Sequence, residues 1–177
     1  MATDVQVGPG ARKLWCPSTM CASYHRGARG RTALARRTVV KKAVSFYSEG
    51  MRLVGDVYYP DGAAPSEPRA GIVLCHGYTG VKDLYLPDNA RVLNEAGYVV
   101  LTFDYKGWGQ SEGARSRLAP YSRVADVQAA LTFLGALPEV DPQRLGIYGT
   151  SCGGAMVVWT GAVDRRVKCV VSVVGIG

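Results

Sequence analysis

Four short apolar runs constrain this chain more than anything else in it: residues 70–75 (AGIVLC), 98–103 (YVVLTF), 145–148 (LGIY) and 167–174 (VKCVVSVV). A strand with one face in water alternates apolar and polar residues, whereas a strand covered on both faces reads as a nearly continuous apolar run. Between these runs lie stretches with helical spacing. Residues 86–96 place Ala90, Val92, Leu93 and Ala96 at that spacing and meet a stop signal at Gly97. Residues 121–134 do the same with Val124, Val127, Ala130, Leu131 and Leu134, and residues 153–161 form a third such stretch. Covered strands alternating with helices need crossover connections, so the expected fold class is α/β with a mostly parallel, doubly wound sheet. Ahead of them the β-rich runs 39–47 and 53–59 flank Ser48-Glu49-Gly50 and read as an antiparallel hairpin that opens the sheet, followed by a Pro60-Asp61-Gly62 loop.

The chain has 177 residues, enough for one domain with a real core, and its 47% hydrophobic content agrees. Its formal charge of +7 is all at one end. Residues 1–42 hold nine of the 21 basic residues against a single acid, Asp4, which leaves twelve basic and thirteen acidic residues elsewhere. The folded part is therefore close to neutral, and a nucleic-acid surface on it is not expected. No run of about 18 apolar residues exists to cross a membrane. The five cysteines are scattered, with no C-x-x-C and no Cys/His cluster of zinc spacing. Neither a metal nor a cofactor is expected. Cys75 and Cys169 read as small buried hydrophobes, and reduced thiols point to a cytoplasmic protein. Residues 1–40 lack sustained periodicity and are expected to be a disordered basic tail, with residues 41–177 as the folded domain. The Arg-rich, acid-poor tail also has the composition of an organelle transit peptide, which is the alternative location.

The residues that carry chemistry sit after the apolar runs. Gly149-Thr150-Ser151-Cys152-Gly153 matches G-x-S-x-G and stands between a strand and a helix, the setting that motif requires. A serine on so tight a turn needs an unusual backbone conformation, and Gly149 and Gly153 let strand and helix approach without Cβ clashes. Ser151 is thus the candidate nucleophile. Acyl transfer also needs two backbone N–H groups aimed at the developing oxyanion. One comes from Cys152, the residue after the nucleophile. The other is expected from Tyr78 in His76-Gly77-Tyr78-Thr79-Gly80, which follows the run at 70–75. Gly77 lets that loop come close, and His76 reads as a loop brace, not as the base. A third segment, Asp104 to Gly113 (DYKGWGQSEG), reads as a structural turn with a solvated charge pair.

The ordered set HGYTG, DYKGWGQSEG and GTSCGG, behind an opening hairpin, resembles the α/β-hydrolase superfamily, most closely the serine aminopeptidases and X-Pro dipeptidyl-peptidase-like (S15-type) hydrolases with their esterase relatives. The resemblance covers residues 44–177 and implies an α/β-hydrolase fold and a serine hydrolase acting on a small-molecule ester or peptide through an acyl-enzyme. It departs from the family at Lys106, where an arginine is usual. The family places its triad in the order Ser, acid, His. After Ser151 this sequence offers only Asp164 and no histidine. Six strand residues at roughly 3.3 Å each put Asp164 about 20 Å from Ser151. The expectation is therefore the N-terminal part of a hydrolase domain, lacking the last strands, with the triad acid and histidine absent and no triad hydrolysis of its own. The run at 167–174 would then form an open sheet edge. A non-catalytic pseudo-hydrolase that binds ligands and an acyltransferase on the same fold are the competing readings.

Overall fold

A computed structural model describes residues 40–175. The basic tail expected for residues 1–40 lies outside them, apart from Val40. The chain runs β1 (Val40–Ser48), β2 (Met51–Tyr59), β3 (Arg69–Cys75), α1 (Leu86–Glu95), β4 (Val99–Phe103), α2 (Pro120–Gly135), β5 (Val140–Thr150), α3 (Cys152–Val163) and β6 (Val167–Val173). The six strands form one sheet in the order β1-β2-β4-β3-β5-β6. β1, β2 and β4 pair antiparallel in turn, and β4, β3, β5 and β6 pair parallel. The hairpin turns on Glu49 (φ 47°) and Gly50 (φ 78°), the left-handed pair a two-residue loop requires.

Period-two alternation explains why the central strands are apolar throughout. Val73 and Cys75 of β3, with Val99, Leu101 and Phe103 of β4, join a core beneath α2 and α3. Leu74 and Val100 face the other way, onto Leu86 and Ala90 of α1. One helix thus covers one face and two cover the other, so a polar residue at either parity would lose its water.

Two expectations need correction. β5 starts five residues earlier than the apolar run at 145–148, because Val140 pairs with Arg69 before residues 141–144 bulge out and Leu145 resumes beside Gly71. Pro142 and an Asp141 side chain capping the Gln143 N–H make that excursion look like a plain turn in the sequence. Cys169 is exposed, unlike the fully buried Cys75. It lies on β6, the edge of the sheet, whose residues from Lys168 onward are all exposed in the described structure. Among the described residues β6 is the last strand in the sheet order.

Candidate active site

Ser151 stands between the end of β5 and the start of α3 with φ 54° and ψ −123°, a left-handed conformation that is strained for any residue with a Cβ. Its own N–H bonds the Val173 carbonyl at 2.9 Å, and its carbonyl accepts the Ala155 N–H at 3.2 Å. The hydroxyl makes no capping hydrogen bond, and the residue is exposed. Crowding enforces the turn. A Cβ on Gly149 would lie 2.2 Å from the Gly153 carbonyl oxygen, and one on Gly153 would lie 2.5 Å from the carbonyl oxygens of both Cys75 and His76. Two glycines therefore let the N-terminus of α3 press against the end of β3. That contact brings the two loops together: a Cβ on Gly77 would stand 3.5 Å from the Ser151 Cβ.

The loop after β3 is held from below. Gly77 and Gly80 close a turn, with the Gly80 N–H on the Gly77 carbonyl at 3.3 Å. The same carbonyl lies 2.7 Å from Nδ1 of the buried His76. A carbonyl only accepts, so Nδ1 carries the hydrogen. In a trans peptide the C=O and N–H point opposite ways. Anchoring the Gly77 carbonyl inward therefore turns the Tyr78 N–H outward, and no residue among those described accepts it. Cys152 is the first residue of α3, so its N–H has no acceptor within the helix. The Gly77 N–H is taken by the Tyr85 hydroxyl at 2.9 Å. Burial, with Arg123 nearby as a lesser cause, pushes the His76 imidazole down to about 4. It is neutral at physiological pH, and its Nε2 is buried without a partner among the described residues. His76 thus holds its own loop through Nδ1, with Nε2 turned into the buried interior.

Asp104 differs from the expected solvated pair. It is buried, and its two carboxylate oxygens take the Lys82 N–H at 2.7 Å and the Gln110 N–H at 3.0 Å. It thereby ties the 77–85 loop to the turn after β4. Burial raises its carboxyl, and these amide donors oppose the rise. Lys82 Nζ, also buried, pairs with Asp56 at 2.8 Å. Lys106 pairs with Asp126 at 3.1 Å and with Glu49, serving two carboxylates as a point charge. Asp164 lies at the far end of α3 on Arg166, 2.6 Å from its Nη2. β6 runs beside β5 from Val167 at Leu145 to Val173 at Thr150, so Asp164 and Ser151 occupy opposite ends of the strand pair.

A glycine-flanked serine after the fifth strand of a sheet ordered 1-2-4-3-5-6, opening a helix beside a loop with free N–H groups, defines an α/β-hydrolase. The chain belongs to the serine aminopeptidase S33 family, whose description matches residues 66–175. The superfamily expectation holds, and the serine aminopeptidases named in it are the family matched; the match does not specify the S15 type. An uncharacterized 31.7 kDa protein of the traX-finO intergenic region of Escherichia coli is 43% identical over 101 residues, 57% of this chain and 35% of that protein. The thiohydrolase aneE of Aspergillus aculeatus is 33% identical over 126 residues, 71% of this chain and 38% of that protein. The crystal structure of hypothetical protein PA2218 from Pseudomonas aeruginosa superimposes with a TM-score of 0.71 at 33% identity, over 75% of this chain and 41% of that one. The chain thus spans little more than a third of the length of the curated relatives it matches. No helix among the described residues is long and apolar enough to cross a membrane.

Proposed function

We propose that this chain carries the nucleophile and oxyanion donors of a serine hydrolase that cleaves an ester, thioester or amide through an acyl-enzyme on Ser151. The observation that carries this reading is the exposed, strained Ser151, whose hydroxyl makes no capping bond, set against a loop whose Tyr78 N–H and neighbouring Cys152 N–H have no acceptor among the described residues. The Ser151 oxygen attacks the substrate carbonyl carbon while its proton passes to a base. Both electrons of the carbonyl π bond move onto oxygen, where the two N–H groups receive the charge. Collapse expels the leaving alcohol, thiol or amine with a proton, and water repeats the sequence on the acyl-enzyme. Neither His76 nor Asp164 serves as base or orienter, for the geometric reasons above. The base belongs to residues outside positions 40–175. A relative named as a thiohydrolase fits acyl chemistry of this kind. The three described cysteines are unpaired, which suits a reducing, cytoplasmic setting.

The test is labelling of the full-length gene product with a fluorophosphonate and turnover of a p-nitrophenyl ester. Both are expected in the wild type and neither in Ser151→Ala. Residues 1–177 alone are expected to turn over no ester. Labelling that survives Ser151→Ala would place the nucleophile elsewhere. Transfer of the acyl group to an added alcohol in preference to water would favour an acyltransferase.

A further inference from the structure

Arg123 lies on the buried side of α2 with only 3% of its surface exposed. Its Nη2 donates to the Tyr78 carbonyl at 3.3 Å. Its Nε and Nη1 are buried with no acceptor among the described residues. The carboxylate one helical turn on, Asp126, is taken by Lys106. Burying a cation without a counter-ion is costly. Two aromatic faces offset part of that cost: the guanidinium carbon stands 4.5 Å from the Tyr105 ring centre and 5.3 Å from that of Trp108. These rings belong to the loop as well. Trp108 meets Tyr78 edge-on at 5.3 Å, and Tyr105 meets His76 edge-on at 4.9 Å. The guanidinium is thus the centre of a chain, His76–Tyr105–Arg123–Trp108–Tyr78, that lies beneath the oxyanion loop.

We propose that Arg123 is a positioning residue of the oxyanion loop, holding the Tyr78 carbonyl so that the 78–79 peptide turns its N–H outward, and placing an unneutralised positive charge behind the donors. The inference rests on the serine-hydrolase reading above. The logic repeats that of His76 one peptide further on. With the Gly77 carbonyl drawn in by His76 and the Tyr78 carbonyl drawn in by Arg123, the N–H groups of Tyr78 and Thr79 both face away from the core. Successive outward N–H groups form a concavity suited to an anion. Such a charge matters little to a neutral ester and much to the oxyanion, so its removal acts on kcat and not on KM.

The test compares wild type, Arg123→Met and Arg123→Lys in the full-length gene product. Ester kinetics are read together with affinity for an aryl boronic acid, which mimics the tetrahedral adduct on serine. Arg123→Met is expected to lower kcat and boronate affinity by about tenfold or more with KM within about twofold, less than the loss of a direct oxyanion donor. Arg123→Lys keeps the charge but cannot span both rings and the carbonyl, and should fall between. It also serves as the folded variant should Arg123→Met not fold. Wild-type kcat and boronate affinity in the folded variants, or a rise in KM alone, would overturn the proposal. Wild-type protein whose Ser151 takes no fluorophosphonate would overturn the hydrolase reading instead, so the two failures are distinguishable.

Discussion

The glycine turn at 149–153 and the loop at 76–85 meet at Ser151, yet they are held by different means. Residues 149–153 are fixed by backbone against backbone: two glycines whose missing Cβ atoms leave room for carbonyl oxygens 2.2 and 2.5 Å from where those atoms would sit. The loop at 76–85 is fixed by side chains, some its own and some from distant segments. His76, Tyr85, Asp104 and Arg123 each take one of its backbone groups, and Lys82 is clamped by Asp56. The first device fails all at once when a single atom is added. The second should yield by degrees, one bond at a time.

The largest effect therefore belongs to the turn. Gly153→Ala sets a methyl group against two main-chain oxygens that cannot move without opening β3. Overpacking of this kind costs about 3 kcal/mol or more where the neighbour is backbone. Urea unfolding of the variant should show either that loss or no folded population. A Gly153→Ala protein within about 1 kcal/mol of wild type would mean that the crowding is not what shapes the turn.

His76 tests the loop through pH. A histidine whose folded value lies near 4, below its ordinary 6.5, is bound by fewer protons when folded than when unfolded. Its contribution to stability is full above pH 6.5 and is lost as pH falls from 6.5 toward 4, about 3 kcal/mol in all. Asp104 and Asp126 work against it, since burial raises both carboxyls and their contribution is lost as pH rises through those raised values. The quantity to measure is thus the difference between wild type and His76→Gln in urea unfolding across pH 4 to 7. The gap between them should narrow as pH falls. A constant gap would show that the imidazole is not held neutral by burial.

The same contrast explains what the amino-acid sequence reveals. A constraint imposed by backbone crowding is local, so it appears as glycines at fixed spacing, and Gly149, Ser151 and Gly153 are legible at once. The parallel sheet is legible for a similar reason, because two covered faces leave unbroken apolar runs. The loop anchors are not. Tyr85 lies eight residues beyond Gly77 and Arg123 lies 45 beyond Tyr78, and neither falls in a motif. One signal existed: Arg123 falls at helical spacing with Val127, Ala130 and Leu134 on the buried stripe of α2, where a charge demands a reason. Asp104 and Lys106 were misleading because two opposite charges in a glycine-rich turn suggest water, while the fold pairs each with a distant segment. Cys169 misled in the other direction. Its run is as apolar as those of the central strands, but it lies at the edge of the sheet, where the described residues leave both of its faces exposed.

The smallest effect is expected at Tyr85, and it bears most directly on the graded character of the loop. Tyr85→Phe removes one oxygen and keeps the ring, leaving the Gly77 N–H without its acceptor. A single neutral hydrogen bond contributes about 1 kcal/mol net, and an orphaned buried N–H raises the cost modestly. The remaining anchors at His76 and Arg123 act on different peptide groups, so the turn at 77–80 keeps its shape. Urea unfolding should therefore shift by about 1 kcal/mol, with amide exchange accelerated at Gly77 and unchanged at Gly153. A collapse as large as that of Gly153→Ala would mean that the loop is as brittle as the turn, and that Tyr85 is a keystone where one anchor among several is expected.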